Sequence, residues 1–191
     1  HYRRAAMTGL ELPGSEIRVV DQLGRDVLPD GNTVGEIIAK SNIVMKGYWK
    51  QPEETARVLK KGWFHTGDLA TIDSEGYIMI VDRKKDVIVR GGENISSIEI
   101  ENTLSSHPAV LECAVIAMPD PKWGESPKAF VVSKPGTVIS EQDLKQHCKS
   151  LLAPYKIPSS IEFISSLPKG GTGKIQKKIL RDHFSQSEFS E

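Results

Sequence analysis

The chain has 191 residues and a mass of 21.1 kDa, room for one ordinary domain or for a small domain with a piece of another. Its 25 Lys and Arg balance 25 Asp and Glu, with a pI near 7.1, so it carries no bulk positive field for grasping nucleic acid or an anionic membrane. Hydrophobic residues at 38% and a mean hydropathy of -0.31 exclude general disorder, and the longest apolar run, residues 113–118, is far short of the roughly 20 needed to span a bilayer. His1-Tyr2-Arg3-Arg4 lacks the apolar stretch of a signal peptide. Cys113 and Cys148 are too few for a disulfide framework and are not spaced as metal ligands, which fits a soluble protein in a reducing, cytoplasmic setting.

Residues 1–81 alternate short apolar runs with turn signals. The runs at 17–20, 35–40 and 77–81 are broken by Pro13-Gly14, Pro29-Asp30-Gly31 and Asp73-Ser74-Glu75-Gly76, which predicts an antiparallel β unit. A short helix is expected over about 52–59, with Pro52 in its first turn and Glu53 and Glu54 at its positive end. The rhythm then changes to strands interleaved with helices. Strands are predicted at 87–89, 110–118, 129–132 and 161–164. Helices are predicted from Ser96 to about 106, over 140–152, and from about Lys174 to 184. The expected fold class is therefore α+β, an antiparallel β piece followed by a small α/β sandwich. Between the two lies Asp82-Arg83-Lys84-Lys85-Asp86, which reads either as a solvated turn or as a hinge joining units that move.

Three stretches could carry chemistry. Trp63-Phe64-His65-Thr66-Gly67-Asp68 ends in a carboxylate after glycine, placed on a turn. Such a carboxylate could accept two hydrogen bonds from vicinal hydroxyls, or simply close the turn. In Arg90-Gly91-Gly92-Glu93-Asn94-Ile95, between a strand and a helix, paired glycines either admit a ligand to the backbone or make a tight turn; no G-x-G-x-x-G fingerprint is present. Pro168-Lys169-Gly170-Gly171-Thr172-Gly173-Lys174 ends in Gly-Lys, but Pro168 replaces the first glycine of a phosphate loop, and Ile175 stands where Ser or Thr should hold magnesium. What remains is a lysine on a flexible glycine loop, either plain or able to deliver one charge to a separate site. Lys174, Lys177, Lys178 and Arg181 fall at i, i+3, i+4 and i+7, the exposed face of a helix or a weak nucleic-acid patch.

In this order the motifs resemble the adenylate-forming superfamily of acyl-CoA synthetases, luciferases and peptide-synthetase adenylation domains. The resemblance runs through Gly35-Glu36-Ile37, Gly47-Tyr48, Gly62 to Asp68, Asp82 to Asp86, Gly91 to Ile95, Trp123-Gly124-Glu125 and Gly173-Lys174. Gly-Gly-Glu-Asn-Ile-Ser-Ser at 91–97 and the stretch 120–127 look most like fatty-acyl or short-chain acyl-CoA ligases.

The resemblance implies two half-reactions: a carboxylic acid attacks ATP to give acyl-AMP and pyrophosphate, and the CoA thiol then displaces AMP. It implies that Asp68 and Arg83 hold the ribose of ATP and AMP, and that Lys174 bridges carboxylate and phosphate oxygens during adenylation. It places Lys85 at the hinge, Gly91 and Gly92 beside the pantetheine, and Trp123 near the CoA nucleotide. Ser97 stands where many relatives have proline, and Lys177 and Lys178 where arginine is common. The family's phosphate loop, magnesium-holding glutamate and acyl pocket have no counterpart here, so no metal ligand is expected. The chain looks like the end of a large domain (1–81), a hinge (82–85) and a complete mobile domain (86–191), with the N-terminal domain of the same protein as its partner. The alternatives are a carrier-protein-loading adenylation domain, or a non-catalytic module that binds nucleotide or protein. The ending Phe189-Ser190-Glu191 is not a peroxisomal Ser-Lys-Leu signal.

Overall fold

Apolar runs separated by aspartate turns build an antiparallel sheet in the first part of the chain. In a computed structural model, which describes residues 8–187, the strands β1 (Ser15–Val20), β2 (Gly35–Ser41), β3 (Leu59–Lys60), β4 (Trp63–Ile72) and β5 (Ile78–Arg83) form one sheet. His1 to Arg4 and Phe189 to Glu191 lie outside the described residues. The order is β1-β2-β4, with β3 and β5 both pairing with β4. The β1–β2 and β4–β5 connections are turned by aspartates that cap their own backbone. Asp21 accepts from the amides of Leu23 and Arg25, Asp30 from Asn32 and Thr33, and Asp73 from Glu75 and Tyr77. Val19, Val27, Ala70 and Ile78 form the core under this sheet. The helix α1 (Pro52–Val58) begins with Pro52 and carries Glu53 and Glu54 in its first turn, as its sequence predicts.

Two compact units divide between Lys85 and Asp86. In the second, β6 (Ile88–Arg90), β7 (Glu93–Ile95), β8 (Val110–Asp120), β9 (Gly124–Ser133) and β10 (Ser160–Phe163) form a mixed sheet of order β10-β9-β6-β7, with β8 on β9. Only β10 runs parallel to its neighbour; the remaining pairs are antiparallel. Helices α2 (Ser97–Ser105), α3 (Glu141–Leu151) and α4 (Lys177–Ser187) cover it. Strands β8 and β9 are apolar on both faces, and their period of two sorts them between two cores. Val110, Cys113, Val115, Ala129 and Val131 join Ile100 and Leu104 of α2 and Leu144 and Cys148 of α3. Ala114, Ile116, Phe130 and Val132 join Leu180 of α4. The unit is an α/β sandwich, and with the antiparallel sheet before it the α+β class holds.

Ser96 caps α2 through the Glu99 amide at 3.2 Å, and Ser140 forms a full capping box with Asp143 at the start of α3. Leu104 is fully buried at the centre of the larger core. Leu104→Ala should therefore destabilise the second unit by about 2–5 kcal/mol, the cost of lost transfer energy and a residual cavity. Urea unfolding of the chain checks this; a loss below about 1 kcal/mol would mean that the α2 face collapses around the gap.

Three boundaries differ from the sequence expectation. The stretch from Trp63 to Asp68 is not a turn but the first part of the ten-residue strand β4. A strand, β7, intervenes between Gly92 and α2. The last helix starts at Lys177 instead of Lys174, because residues 169–175 close on themselves: Lys169 bridges Ile175, the Gly170 amide donates to the Lys174 carbonyl at 2.9 Å, and the Gly173 amide to the Gly170 carbonyl at 2.9 Å. The glycine loop is a hydrogen-bonded turn.

Candidate nucleotide and thiol sites

Asp68 and Arg83 face each other across β4 and β5, and Arg83 Nε lies 3.1 Å from Asp68 Oδ1. Both side chains stay partly exposed, at 27% and 53%, so a ligand's hydroxyls can compete for them. What aims Asp68 is an irregularity just before it. Gly67 has φ +74, a conformation that side-chain-bearing residues rarely adopt. Around it Thr66 donates its hydroxyl to the Ile37 carbonyl at 2.8 Å and accepts the Asp68 amide at 3.0 Å. This irregularity interrupts the pairing of β4 with β2 directly before Asp68, which pairs with Arg83 on the other side. A cleft of about 480 Å³ opens beside Arg83, lined among others by Tyr48, Arg57, Phe64, Thr66 and Gly67; Asp68 stands next to the lining residue Gly67 and does not itself line it.

Glu36 of β2 underlies this cleft. Its side chain is only 14% exposed and is hydrogen-bonded by His65 Nδ1 at 3.2 Å, Lys84 Nζ at 3.1 Å and the Gly67 amide at 3.2 Å. Burial pushes its carboxyl up, but the hydrogen bonds from His65 and Lys84 outweigh that and hold it below the usual carboxylate range. The sequence motif contains Glu36, yet reading it gives the residue no role. The signal was there: a carboxylate between Gly35 and two isoleucines on a half-buried strand demands partners.

The charged run 82–86 turns at 84–86 and is solvated only in its middle. Asp82 is buried, with Oδ1 accepting the Arg83 amide at 2.6 Å, and Asp86 is buried against Arg181 of α4. Arg83, Lys84 and Lys85 are the exposed members. The basic face of α4 is likewise partly engaged: Lys177 pairs with Glu101 at 2.7 Å and with the Ser97 hydroxyl at 2.8 Å, and Arg181 with Asp86. Both cations are thus paired within the unit, while Lys174 and Lys178 remain exposed.

In the second unit Gly91 and Gly92 form the two-residue loop joining β6 to β7, with φ of +59 and +89, the pair of values a primed hairpin turn demands. The Gly91 amide donates to the Trp123 carbonyl at 2.8 Å. A Cβ on Gly91 would stand 3.0 Å from the Trp123 ring, whereas one on Gly92 would meet open space. Trp123 itself is 43% exposed, with Lys122 Nζ 4.8 Å from its ring centroid. The amides of Trp123 and Lys122 hold Asp120 below its ordinary range and fix this loop. Gly91, Gly92 and Trp123 thus make one surface: a flat ring, a neighbouring cation and a backbone without side chains. Lys174 lies exposed at the end of its own turn, and no hydrogen bond among the described residues joins it to that surface.

Neither thiol is set up as a nucleophile: both are buried, and burial pushes Cys113 up to about 11 and Cys148 above its usual value. Among the described residues no three His, Cys, Asp or Glu side chains converge as a metal site, and no helix is long and apolar enough to cross a membrane.

Residues 99–174 match the family model of the AMP-binding enzyme C-terminal domain. The chain is 49% identical over 153 residues to a peroxisomal trans-cinnamate:CoA ligase of Petunia hybrida, covering 80% of this chain and 27% of the ligase. It is 49% identical over 185 residues to acetate–CoA ligase CCL3 of Humulus lupulus, covering 94% and 31%, and 48% identical over 170 residues to a feruloyl-CoA synthase of Amycolatopsis sp, covering 89% and 34%. ATP-bound MatB of Rhodopseudomonas palustris superimposes with a TM-score of 0.87 at 36% identity, over 94% of this chain and 36% of that one. The o-succinylbenzoate CoA synthetase of Bacillus subtilis, in complex with its acyl-adenylate, gives 0.87 at 35% identity, over 94% and 36%. The chain spans about a third of the length of these relatives.

Proposed function

This chain belongs to the adenylate-forming superfamily of CoA ligases, and from that premise we propose that it is the C-terminal portion of an ATP-dependent, AMP-forming acid–CoA ligase. The observation that carries the reading is the Asp68–Arg83 pair, whose Arg83 lines an open cleft together with the bulge residue Gly67. A carboxylate accepts both hydroxyls of a ribose at once, and the adjacent guanidinium donates to the ring or phosphate oxygens. ATP and CoA are substrates here. In the first half-reaction a carboxylate oxygen of the acid bonds to the α-phosphorus of ATP and pyrophosphate departs. Lys174 places its ammonium against the oxygens where negative charge gathers. In the second, the CoA sulfur bonds to the acyl carbon, AMP departs, and the thiol proton goes to solvent. Gly91 and Gly92 let the pantetheine arm pass close to the backbone, and the Trp123 ring offers a stacking face for the adenine of CoA. Magnesium, when bound, offsets the triphosphate charge; this chain offers it no ligand cluster among its described residues.

Lys85 falls between the two units and serves as the pivot that serves each half-reaction in turn. The acid is the open variable. Fatty acids, favoured by the sequence resemblance, stand beside cinnamate, ferulate and acetate, the acids named for relatives. The test is the full-length protein with ATP, magnesium, CoA and that panel: one acid should give AMP and its thioester in equal amounts. AMP without thioester, but with loading of a carrier protein, would select the carrier-loading alternative. A cytoplasmic location belongs to the same proposal, and imaging of the tagged full-length protein separates it from the peroxisome, where some relatives are described as residing.

A further inference from the structure

Glu36, Gly67 and Lys84 close a ring across β2, β4 and the end of β5. One carboxylate oxygen of Glu36 accepts the Gly67 amide at 3.2 Å, and the other accepts Lys84 Nζ at 3.1 Å and His65 Nδ1 at 3.2 Å. Gly67 returns its carbonyl to the Lys84 amide at 2.8 Å. Gly67 is thereby gripped on both of its backbone polar groups. Asp68 follows it directly, and Arg83 directly precedes Lys84, so each member of the candidate ribose pair sits one residue from the ring. β4 breaks register with both neighbours around this point, between Glu36 and Ile38 on one side and at Leu69/Ala70 on the other. On the β5 side the backbone still holds the bulge, through the Lys84 amide and the Asp68–Arg83 pairing, but on the β2 side, between Glu36 and Ile38, the Glu36 carboxylate takes the Gly67 amide.

We propose that Glu36 is a positioning residue for nucleotide binding, acting through the Gly67 bulge to aim Asp68 at the ribose. The inference rests on the nucleotide reading above. A leucine at position 36 would leave the Gly67 amide without its acceptor and Lys84 without its anion. A glutamine keeps one acceptor oxygen for Gly67 but turns an amide donor toward two other donors, Lys84 and His65.

The test uses the full-length protein with AMP as the probe, by calorimetry, and ATP in steady-state turnover. Glu36→Leu should weaken AMP about tenfold and Glu36→Gln about threefold, in the range of losing a hydrogen bond to a charged group. KM for ATP should rise in the same order while kcat changes less than about twofold, the pattern of lost uniform binding. In an Asp68→Ala background both replacements should lose most of their effect, because nothing remains to be aimed. If Asp68→Ala weakens AMP and neither Glu36 variant does, the positioning role is overturned and the nucleotide reading stands. If the effects of Glu36 and Asp68 add fully, Glu36 acts by another route and the proposal falls. If Asp68→Ala binds AMP normally, the nucleotide reading fails and takes the proposal with it. Should the leucine variant not fold, the glutamine variant carries each of these outcomes alone.

Discussion

Lys174→Ala in the full-length protein should lower the rate of acyl-AMP formation by on the order of 10²-fold, about 3 kcal/mol or more of transition-state stabilisation, while leaving the reaction of pre-made acyl-AMP with CoA nearly intact. The argument begins from how the lysine is mounted. Its turn is closed by backbone hydrogen bonds between Gly170 and Lys174 and between Gly170 and Gly173, and the Gln176 amide donates to the Pro168 carbonyl at 2.8 Å. Lys169 Nζ ties the turn to Glu112 of β8 at 2.7 Å. None of these contacts uses the Lys174 side chain, so truncation to alanine removes a charge and leaves its support in place. An ammonium on a four-carbon stem, exposed at the end of a braced turn, can reach one partner surface in one conformation. In the proposed role it helps only where negative charge develops, on the oxygens around the α-phosphorus, and loss of thioester formation is not expected. Pyrophosphate exchange measures the first half-reaction and acyl-AMP consumption the second. Equal losses in both would make Lys174 a structural residue, and an unchanged melting temperature of the variant would then contradict even that.

How far the sequence anticipates this molecule depends on whether the deciding contact is local. The capping box of Ser140 and Asp143, the three aspartate turns and the alternation in β8 and β9 are written within a few residues of where they act, and each is legible. The length of β4 is not. Gly67 looks like the end of a segment, and the contacts that hold the chain in a strand across it come from Glu36 and Ile37, about thirty positions earlier, and from Arg83 and Lys84, about sixteen later. The face of α4 is misread for the same reason. Lys177 and Arg181 repeat at helical spacing as an exposed basic stripe would, but their partners Glu101 and Asp86 lie far back in the chain. At the candidate site, Asp68, Arg83, Gly91, Gly92 and Trp123 are each found from motif, and the structure brings the first two together and the last three together. Glu36 carries no reactive role of its own and is visible only as a half-buried, multiply bonded charge once its strand has neighbours.

Lys85→Pro should separate the half-reactions in the sense opposite to Lys174→Ala: pyrophosphate released at nearly the normal rate in the first turnover, and acyl-CoA output reduced by about tenfold or more, the scale at which a gating step governs kcat. The residues on either side of Lys85 are held. Upstream, the Lys84 amide is committed to the Gly67 carbonyl at 2.8 Å and its ammonium to Glu36 at 3.1 Å. Downstream, Asp86 is buried and paired with Arg181 of α4. One residue lies between these anchors, and it is where the two compact units divide. Any large reorientation of one unit against the other must pass through its backbone torsions and their immediate neighbours. Proline fixes φ near about −65° and removes the amide donor, and it also drives the preceding residue away from helical torsions. A chain so restricted can still satisfy one conformation. Adenylation should survive if that conformation is the one presenting Lys174, and the state presenting Gly91 and Gly92 to the thiol is then reached rarely. Single-turnover kinetics on the full-length variant distinguish the cases. Acyl-AMP should accumulate and persist after CoA is added; consumption at the wild-type rate would mean that the pivot lies elsewhere. Lys85→Ala is the necessary companion, because it removes the side chain and keeps the torsional freedom. If alanine is as damaging as proline, the ammonium and not the backbone is what position 85 contributes.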